Sequence, residues 1–214
     1  MITWAVLPVK RYFIGKSRLR QLFSDAELAE LNRKLFESTF TKIQELPEID
    51  KVLVVSRELH ALEWCEMHNG AALPEDETSS LNLAISKAQE HTLQAGVDRI
   101  VVLPSDLPLM TIKDLNHLIC LAEGANNKLV IVPDHYQSGT NALVISGPDL
   151  IQPKFGFGSF RKHIKQAMEK DAELIVYLNE NIQWDLDTSL ELYRIINTQP
   201  ELDLLSHIRK EISL

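Results

Sequence analysis

This 214-residue sequence predicts an α/β fold: a single three-layer domain with a mostly parallel sheet between two layers of helices. Three observations lead there. Short continuous apolar runs, such as Ile100–Leu103 and Leu129–Val132, are bounded by turn residues, which is the pattern of strands buried on both faces. These runs alternate with segments of helical length almost throughout. Finally, no Pro/Gly/Ser-rich linker, internal repeat or low-complexity stretch divides the chain, so residues 1–214 are expected to form one domain, with a helical tail from about residue 200.

Ile2–Val9 is apolar and compact and reads as the first strand; it runs into a loop with four cations, Lys10, Arg11, Lys16 and Arg18, around Gly15. Ser24-Asp-Ala-Glu27 matches a capping box, and the helix that it opens should run to about Leu46, before Pro47. Lys51–Val55 is a strand, followed by a helix through Leu62, Trp64 and Cys65 that stops near Asn69-Gly70. Ala71–Leu73 is a short strand. The acidic loop from Pro74 feeds a helix over about Leu81–Ala95.

The Ile100–Leu103 strand runs into Pro104-Ser-Asp-Leu-Pro108, so Asp106 lies just past a strand's C-terminal end, where open α/β sheets bind ligands. A helix from Thr111 to about Ala122 is next, then strands at Leu129–Val132 and Asn141–Ile145. Pro153–Phe160 is a glycine-bearing loop opening the Arg161–Lys170 helix. Leu174–Tyr177 is the last clear strand. Helices at about Leu190–Asn197 and Leu202–Ile212 finish the chain.

Composition narrows the function. The net charge of −8 argues against a nucleic-acid partner. No apolar run is long enough to span a bilayer, so no membrane partner is expected. Cys65 and Cys120 both fall in apolar helical patterns and no C-x-x-C occurs; two buried thiols and a cytoplasmic setting are expected.

Four constellations can carry chemistry. Lys10, Lys16 and Arg18 come after the first strand, where a doubly wound fold places nucleotide phosphates, although no P-loop motif is present. Asp185-x-Asp187 puts two carboxylates on one side of an extended segment. Such a pair is costly without a cation between them, and Mg²⁺ suits carboxylates plus phosphate oxygens. Against this stands the plainer reading that Asp187 caps the next helix and Asp106 caps a turn. Ser138-Gly-Thr-Asn141 sets small polar groups around a glycine, so that backbone can approach an anion. Phe155-Gly-Phe-Gly-Ser159 opens a helix carrying Arg161, Lys162 and His163, a candidate anion site. No Ser-His-Asp or Cys-His arrangement can be argued from spacing.

Taken in order, Leu7-Pro-Val-Lys10, Gly15-Lys-Ser-Arg-Leu19, Leu81-Asn82, Leu103-Pro-Ser-Asp-Leu-Pro-Leu109, Gly139-Thr-Asn141, Phe155-Gly-x-Gly-Ser-Phe160 and Asp185-x-Asp-Thr188 resemble one family. It is the CofC/FbiD-type guanylyltransferases of coenzyme F420 biosynthesis, and the resemblance runs from about Ala5 to Leu192. It implies a nucleotide-diphospho-sugar transferase-like (Rossmann-like) fold. It also implies a reaction joining GTP to a small phosphorylated acid, with release of pyrophosphate. The acid is 2-phospho-L-lactate, phosphoenolpyruvate or 3-phospho-D-glycerate, depending on the member.

By the same resemblance, Asp106, Asp185 and Asp187 hold Mg²⁺. Thr140, Asn141, Gly156 and Ser159 face the acid, and Pro8, Lys10, Lys16, Arg18 and Asn82 face GTP. Asp106, Lys16 and Arg18 are then the catalytic set. Ser80 stands where the family commonly has glycine, and Ser189 where it commonly has proline. The first strand does not lead into a G-G-x-S-x-R-M-G-like loop, which counts against a molybdopterin guanylyltransferase or a sugar-phosphate nucleotidyltransferase. A non-catalytic nucleotide-binding partner protein is the other alternative. A homodimer is one of two ways in which the last helix can bury Leu204, Leu205, Ile208 and Ile212.

Overall fold

The computed structural model describes residues 1–76, 80–124 and 126–199. Seven strands form one sheet: β1 (Thr3–Val9), β2 (Lys51–Ser56), β3 (Ala71–Pro74), β4 (Arg99–Val102), β5 (Lys128–Pro133), β6 (Thr140–Ser146) and β7 (Glu173–Val176). Their order across the sheet is β3-β2-β1-β4-β6-β5-β7. The pairs β1–β2, β1–β4, β2–β3 and β5–β7 are parallel; β6 runs antiparallel to both β4 and β5. The predicted mostly parallel sheet is therefore present, with one reversed strand. Buried residues run without a break through β4, β5 and β6. Continuous burial gives a sequence no clue to strand direction, so the reversal of β6 was not legible.

Among the described residues the helices are α1 (Asp25–Gln44), α2 (Leu59–Met67), α3 (Leu81–Gln94), α4 (Ile112–Cys120), α5 (Ser159–Glu169), α6 (Glu180–Gln183) and α7 (Ser189–Thr198). Alternation along the strands sorts them into two layers. Ala5, Leu7, Val52, Val54, Val101 and Val144 point to one face and pack with Phe36 and Phe40 of α1, Ala61 of α2 and Leu115 of α4. Val6, Leu53, Val55, Ile100, Val102 and Ile145 point to the other face, against Ile85 and Ala88 of α3 and Ala167 of α5. A smaller cluster outside the sheet joins Leu19, Leu31, Leu35, Leu186, Leu192 and Ile195.

The local signals behave as their chemistry requires. Ser24 caps α1 by accepting from the Glu27 N–H, and the Glu27 carboxylate accepts from the Ser24 N–H, completing the box. The cap of α4 is Thr111 and that of α7 is Thr188, which leaves Asp106 and Asp187 free of capping duty. Two short elements have no periodic signature and were not expected: α6 and a 3-10 turn over Ser17–Leu19.

One thiol expectation is corrected. Cys65 is buried, but Cys120 is exposed. It sits one step round α4 from the buried stripe of Leu115, Leu118 and Ile119, and its thiol lies 3.1 Å from the Asn116 Oδ1. The predicted helix at Leu202–Ile212, and with it the dimer expectation, lies outside the described residues. Among those described, no helix is long and apolar enough to cross a membrane.

Candidate active site

One edge of the sheet gathers the site. The parallel strands β1, β2, β3, β4, β5 and β7 all end there. Because β6 runs the other way, it begins there. Lys10, Arg57, Glu75 and Asp134, each next after the end of β1, β2, β3 and β5, together with the Pro104–Asp106 turn beyond β4 and Thr140 at the start of β6, line one cleft of about 920 Å³. This is the edge at which open α/β sheets bind ligands.

On one wall, Asp106, Asp185 and Asp187 offer carboxylate oxygens that all lie within 4.8 Å of one another. Packing places them. Leu186 is fully buried in the small cluster against α1 and α7, and its N–H donates to the Asp106 carbonyl at 3.0 Å. With Leu186 turned inward, its two neighbours point the other way, into the cleft. Glu191 of α7 accepts from the N–H groups of Asp187 and Thr188, both at 2.7 Å, and fixes the end of the segment.

Lys16 answers this concentration of negative charge. Its side chain is 3% exposed, and its Nζ lies 3.3 Å from Asp106 and 3.8 Å from Asp187. The same ammonium donates to the Leu186 carbonyl. Lys16 has a left-handed backbone, with φ 58°, at the turn that opens the 3-10 segment. The compensation is partial. Burial, and then the Asp106 and Asp187 charges, push the Asp185 carboxyl up to about 7. The Asp187 carboxyl is raised by burial and by Asp106, with Lys16 opposing the shift. Three oxygen donors at this spacing fit a hard divalent cation, which would relieve the repulsion that one lysine leaves.

Asp134, which also lines the cleft, shapes the turn into β6. Its carboxylate accepts from the N–H groups of Ser138 and Gly139, both at 2.8 Å. A Cβ on residue 139 would fall 2.7 Å from the Asp134 Oδ2 and would displace this carboxylate from its two N–H donors. Thr140 and Asn141 come directly after the turn; Asn141 donates to the Ile182 carbonyl at 2.9 Å and ties α6 to β6.

Pro8, Lys10, Lys16, Arg18, Asp106, Thr140, Asn141, Gly156, Asp185 and Asp187 all line the cleft. Two predicted residues do not line it. Asn82 spends its amide on the loop before α5: its Oδ1 accepts from the Phe155 N–H at 2.7 Å and its Nδ2 donates to the Phe155 carbonyl at 3.1 Å. Ser159 is fully buried behind Thr140, to which its hydroxyl donates at 3.1 Å.

At the expected anion site before α5, two of the N–H groups already have partners. The Ser159 and Phe160 N–H groups are taken by the Gly156 and Ser138 carbonyls. His163 is no surface cation: it is fully buried, and burial, reinforced by Lys162, lowers its pKa to about 4. Residues 159, 163 and 167 form the buried stripe of α5, a spacing of four that could have turned His163 inward from sequence alone. Asp134, Arg57 and Phe157 line the cleft without having been singled out; Phe157, between two positive-φ glycines, is 93% exposed at its mouth.

Comparison with known proteins bears on what this cleft does. The family model described as "Guanylyl transferase CofC like" matches residues 3–208. The chain belongs to the CofC-like guanylyl transferase family. A phosphoenolpyruvate guanylyltransferase of Sphaerobacter thermophilus is 29% identical over 200 residues, covering 94% of this chain and 95% of that protein. A 2-phospho-L-lactate guanylyltransferase of Methanothermobacter thermautotrophicus is 30% identical, covering 92% of this chain and 85% of that one. Among solved structures, a candidate nucleotide-diphospho-sugar transferase from Desulfovibrio desulfuricans superposes with a TM-score of 0.77 at 16% identity, over 100% of this chain and 96% of that one, which shows a shared fold. This CofC-like chain is thus a nucleotidyltransferase that transfers guanylyl groups, on the nucleotide-diphospho-sugar transferase fold that the sequence predicted.

Proposed function

We propose that this chain joins GTP to a small phosphorylated acid, releasing pyrophosphate, as a step of coenzyme F420 biosynthesis. One observation carries the reading: a carboxylate cluster, Thr140 and the cations Lys10, Lys16 and Arg18 line a single cleft. Related chains bear the names of two such acids, phosphoenolpyruvate and 2-phospho-L-lactate.

The acid's phosphate attacks the α-phosphorus of GTP in line, and pyrophosphate leaves. Both reactants are anions, so the task is to cancel repulsion and to align them. Asp106, Asp185 and Asp187 would hold Mg²⁺, which, when bound, supplies positive charge beside the α-phosphate oxygens. Lys16, Lys10 and Arg18 steady the triphosphate and the departing pyrophosphate, with Pro8 beside them on the same strand end. Thr140 and Gly156 receive the acid, Asn141 fixes the wall behind it, and Ser159 supports Thr140. Asn82 acts by holding the Phe155–Gly156 backbone. The attacking phosphate, with a second pKa of about 6, is already ionised near neutral pH. A general base is therefore not needed.

The test is pyrophosphate release with GTP and Mg²⁺ and each of 2-phospho-L-lactate, phosphoenolpyruvate and 3-phospho-D-glycerate. The expected result is release with one of the acids, and none when ATP replaces GTP. Silence with all three, from folded protein that binds GTP, overturns the reading.

A further inference from the structure

We propose that His163 is a positioning residue, whose Nδ1–H holds the Thr140 hydroxyl oxygen so that the threonine's own proton points into the cleft as a fixed donor to an oxyanion. This deepens the proposed function, since it rests on the acid lying against Thr140.

The far side of the imidazole sets its protonation. The backbone N–H of Lys154 donates to His163 Nε2 at 2.8 Å. A nitrogen that accepts carries no proton, so in the neutral ring Nδ1 carries it. The opposite tautomer would set two N–H groups against each other. Burial keeps the ring neutral, with its pKa lowered to about 4. The edge of the Phe155 ring, 5.3 Å away between centroids, limits rotation of the imidazole.

Nδ1 faces Thr140 Oγ1 at 3.0 Å, so His163 donates and Thr140 accepts. Ser159 Oγ donates to the same oxygen at 3.1 Å. A hydroxyl has two acceptor positions and one proton. With both acceptor positions filled, Thr140 can only donate, and it donates toward the cleft that it lines. A hydroxyl free to rotate would accept a ligand's O–H as readily as it would donate to a carboxylate or phosphate. This one is committed to an acceptor, and fixing it in advance avoids an ordering cost on binding. The wall therefore presents a fixed donor, which suits an oxyanion and disfavours a group that can only donate.

Two near-isosteric variants separate the roles of the two ring nitrogens. His163→Asn keeps an N–H donor where Nδ1 was. His163→Gln keeps an acceptor where Nε2 was and withdraws the donor to Thr140. The expected result is that Gln raises KM for the active acid about tenfold, with kcat and KM for GTP changed less than twofold. Asn should stay within about threefold of the parent. In a Thr140→Val background, which lacks the hydroxyl, the Gln change should add nothing further to KM. Additive effects, or Asn and Gln behaving alike, would overturn the proposal.

A direct readout uses no substrate. Long-range ¹H–¹⁵N spectra of histidine-labelled protein should show His163 neutral at pH 6 with its proton on Nδ1; a proton on Nε2 overturns the proposal by itself. If no acid supports turnover, the proposed function falls, and the tautomer still decides this inference.

Discussion

The ammonium of Lys16 lies 3.3 Å from Asp106 Oδ2, closing the gap between the loop after β1 and the turn after β4, 90 residues apart in sequence. Two adjacent parallel strands deliver these groups to the same sheet edge. Lys16 thereby supplies the cluster's internal counter-charge.

Replacing Lys16 by Met removes this charge from a nearly dry position. The three carboxylates are then left to repel one another, so the metal-free variant should melt several degrees below the parent. Its affinity for Mn²⁺ in the absence of nucleotide should rise several-fold, because the ion no longer competes with an ammonium. Calorimetric titration checks this. Weaker Mn²⁺ binding by the variant would mean that Lys16 supports the cation site instead of competing for it.

Asp106→Asn and Asp187→Asn keep shape while each removes one negative charge. Each should lower kcat at least about a hundredfold, the order expected when a metal's coordination is disturbed. Neither should lower the melting temperature in metal-free buffer, since each change relieves repulsion on Asp185. Near-parental turnover in either variant removes the metal assignment.

The fold and half of the site were legible because they depend on periodicity and on the residue types at each strand's end. The apolar runs and the Ser24 capping box gave the elements, and the spacing of Asp185 and Asp187 gave a carboxylate pair on one side of the segment. What escaped depends on tertiary placement. Lys16 read as one of four loop cations, and nothing local shows that it alone turns inward. Asn82 is set against GTP by the family resemblance alone, and the sequence has no sign of the Phe155 backbone that it meets. His163 read as basic because it comes after Arg161 and Lys162, although its phase on α5 matches Ser159 and Ala167.

His163 also gives the protein a pH dependence whose sign is fixed by burial. Its ordinary pKa of 6.5 applies in the unfolded chain, and about 4 in the folded one. Below about pH 6.5 the unfolded state takes up a proton that the folded state refuses, so stability falls as pH drops towards 4. At about 1.4 kcal/mol per unit, this group alone costs about 2 kcal/mol on going from pH 7 to pH 5. Urea unfolding at the two pH values should show that loss. His163→Asn, which cannot titrate, should lose less than the parent by about that amount. An equal loss in both proteins would place the acid sensitivity elsewhere.

Leu186 links the core to the chemistry. It is fully buried among Leu19, Leu31, Leu192 and Ile195, and it holds the two flanking aspartates towards the cleft. Leu186→Ala should cost about 2–5 kcal/mol by leaving a cavity. Ile195→Ala, in the same cluster and also fully buried, should cost a similar amount of stability. The two should differ in turnover. Relaxation around residue 186 moves Asp185 and Asp187 relative to Asp106, and displacements of about 1 Å at such a site cost about a hundredfold. Ile195→Ala leaves the segment anchored by Leu186 and by Glu191, so its kcat should stay within a few-fold of the parent at a temperature where both variants are folded. Equal losses of kcat in the two would mean that stability, and not the placement of the aspartates, is what Leu186 contributes.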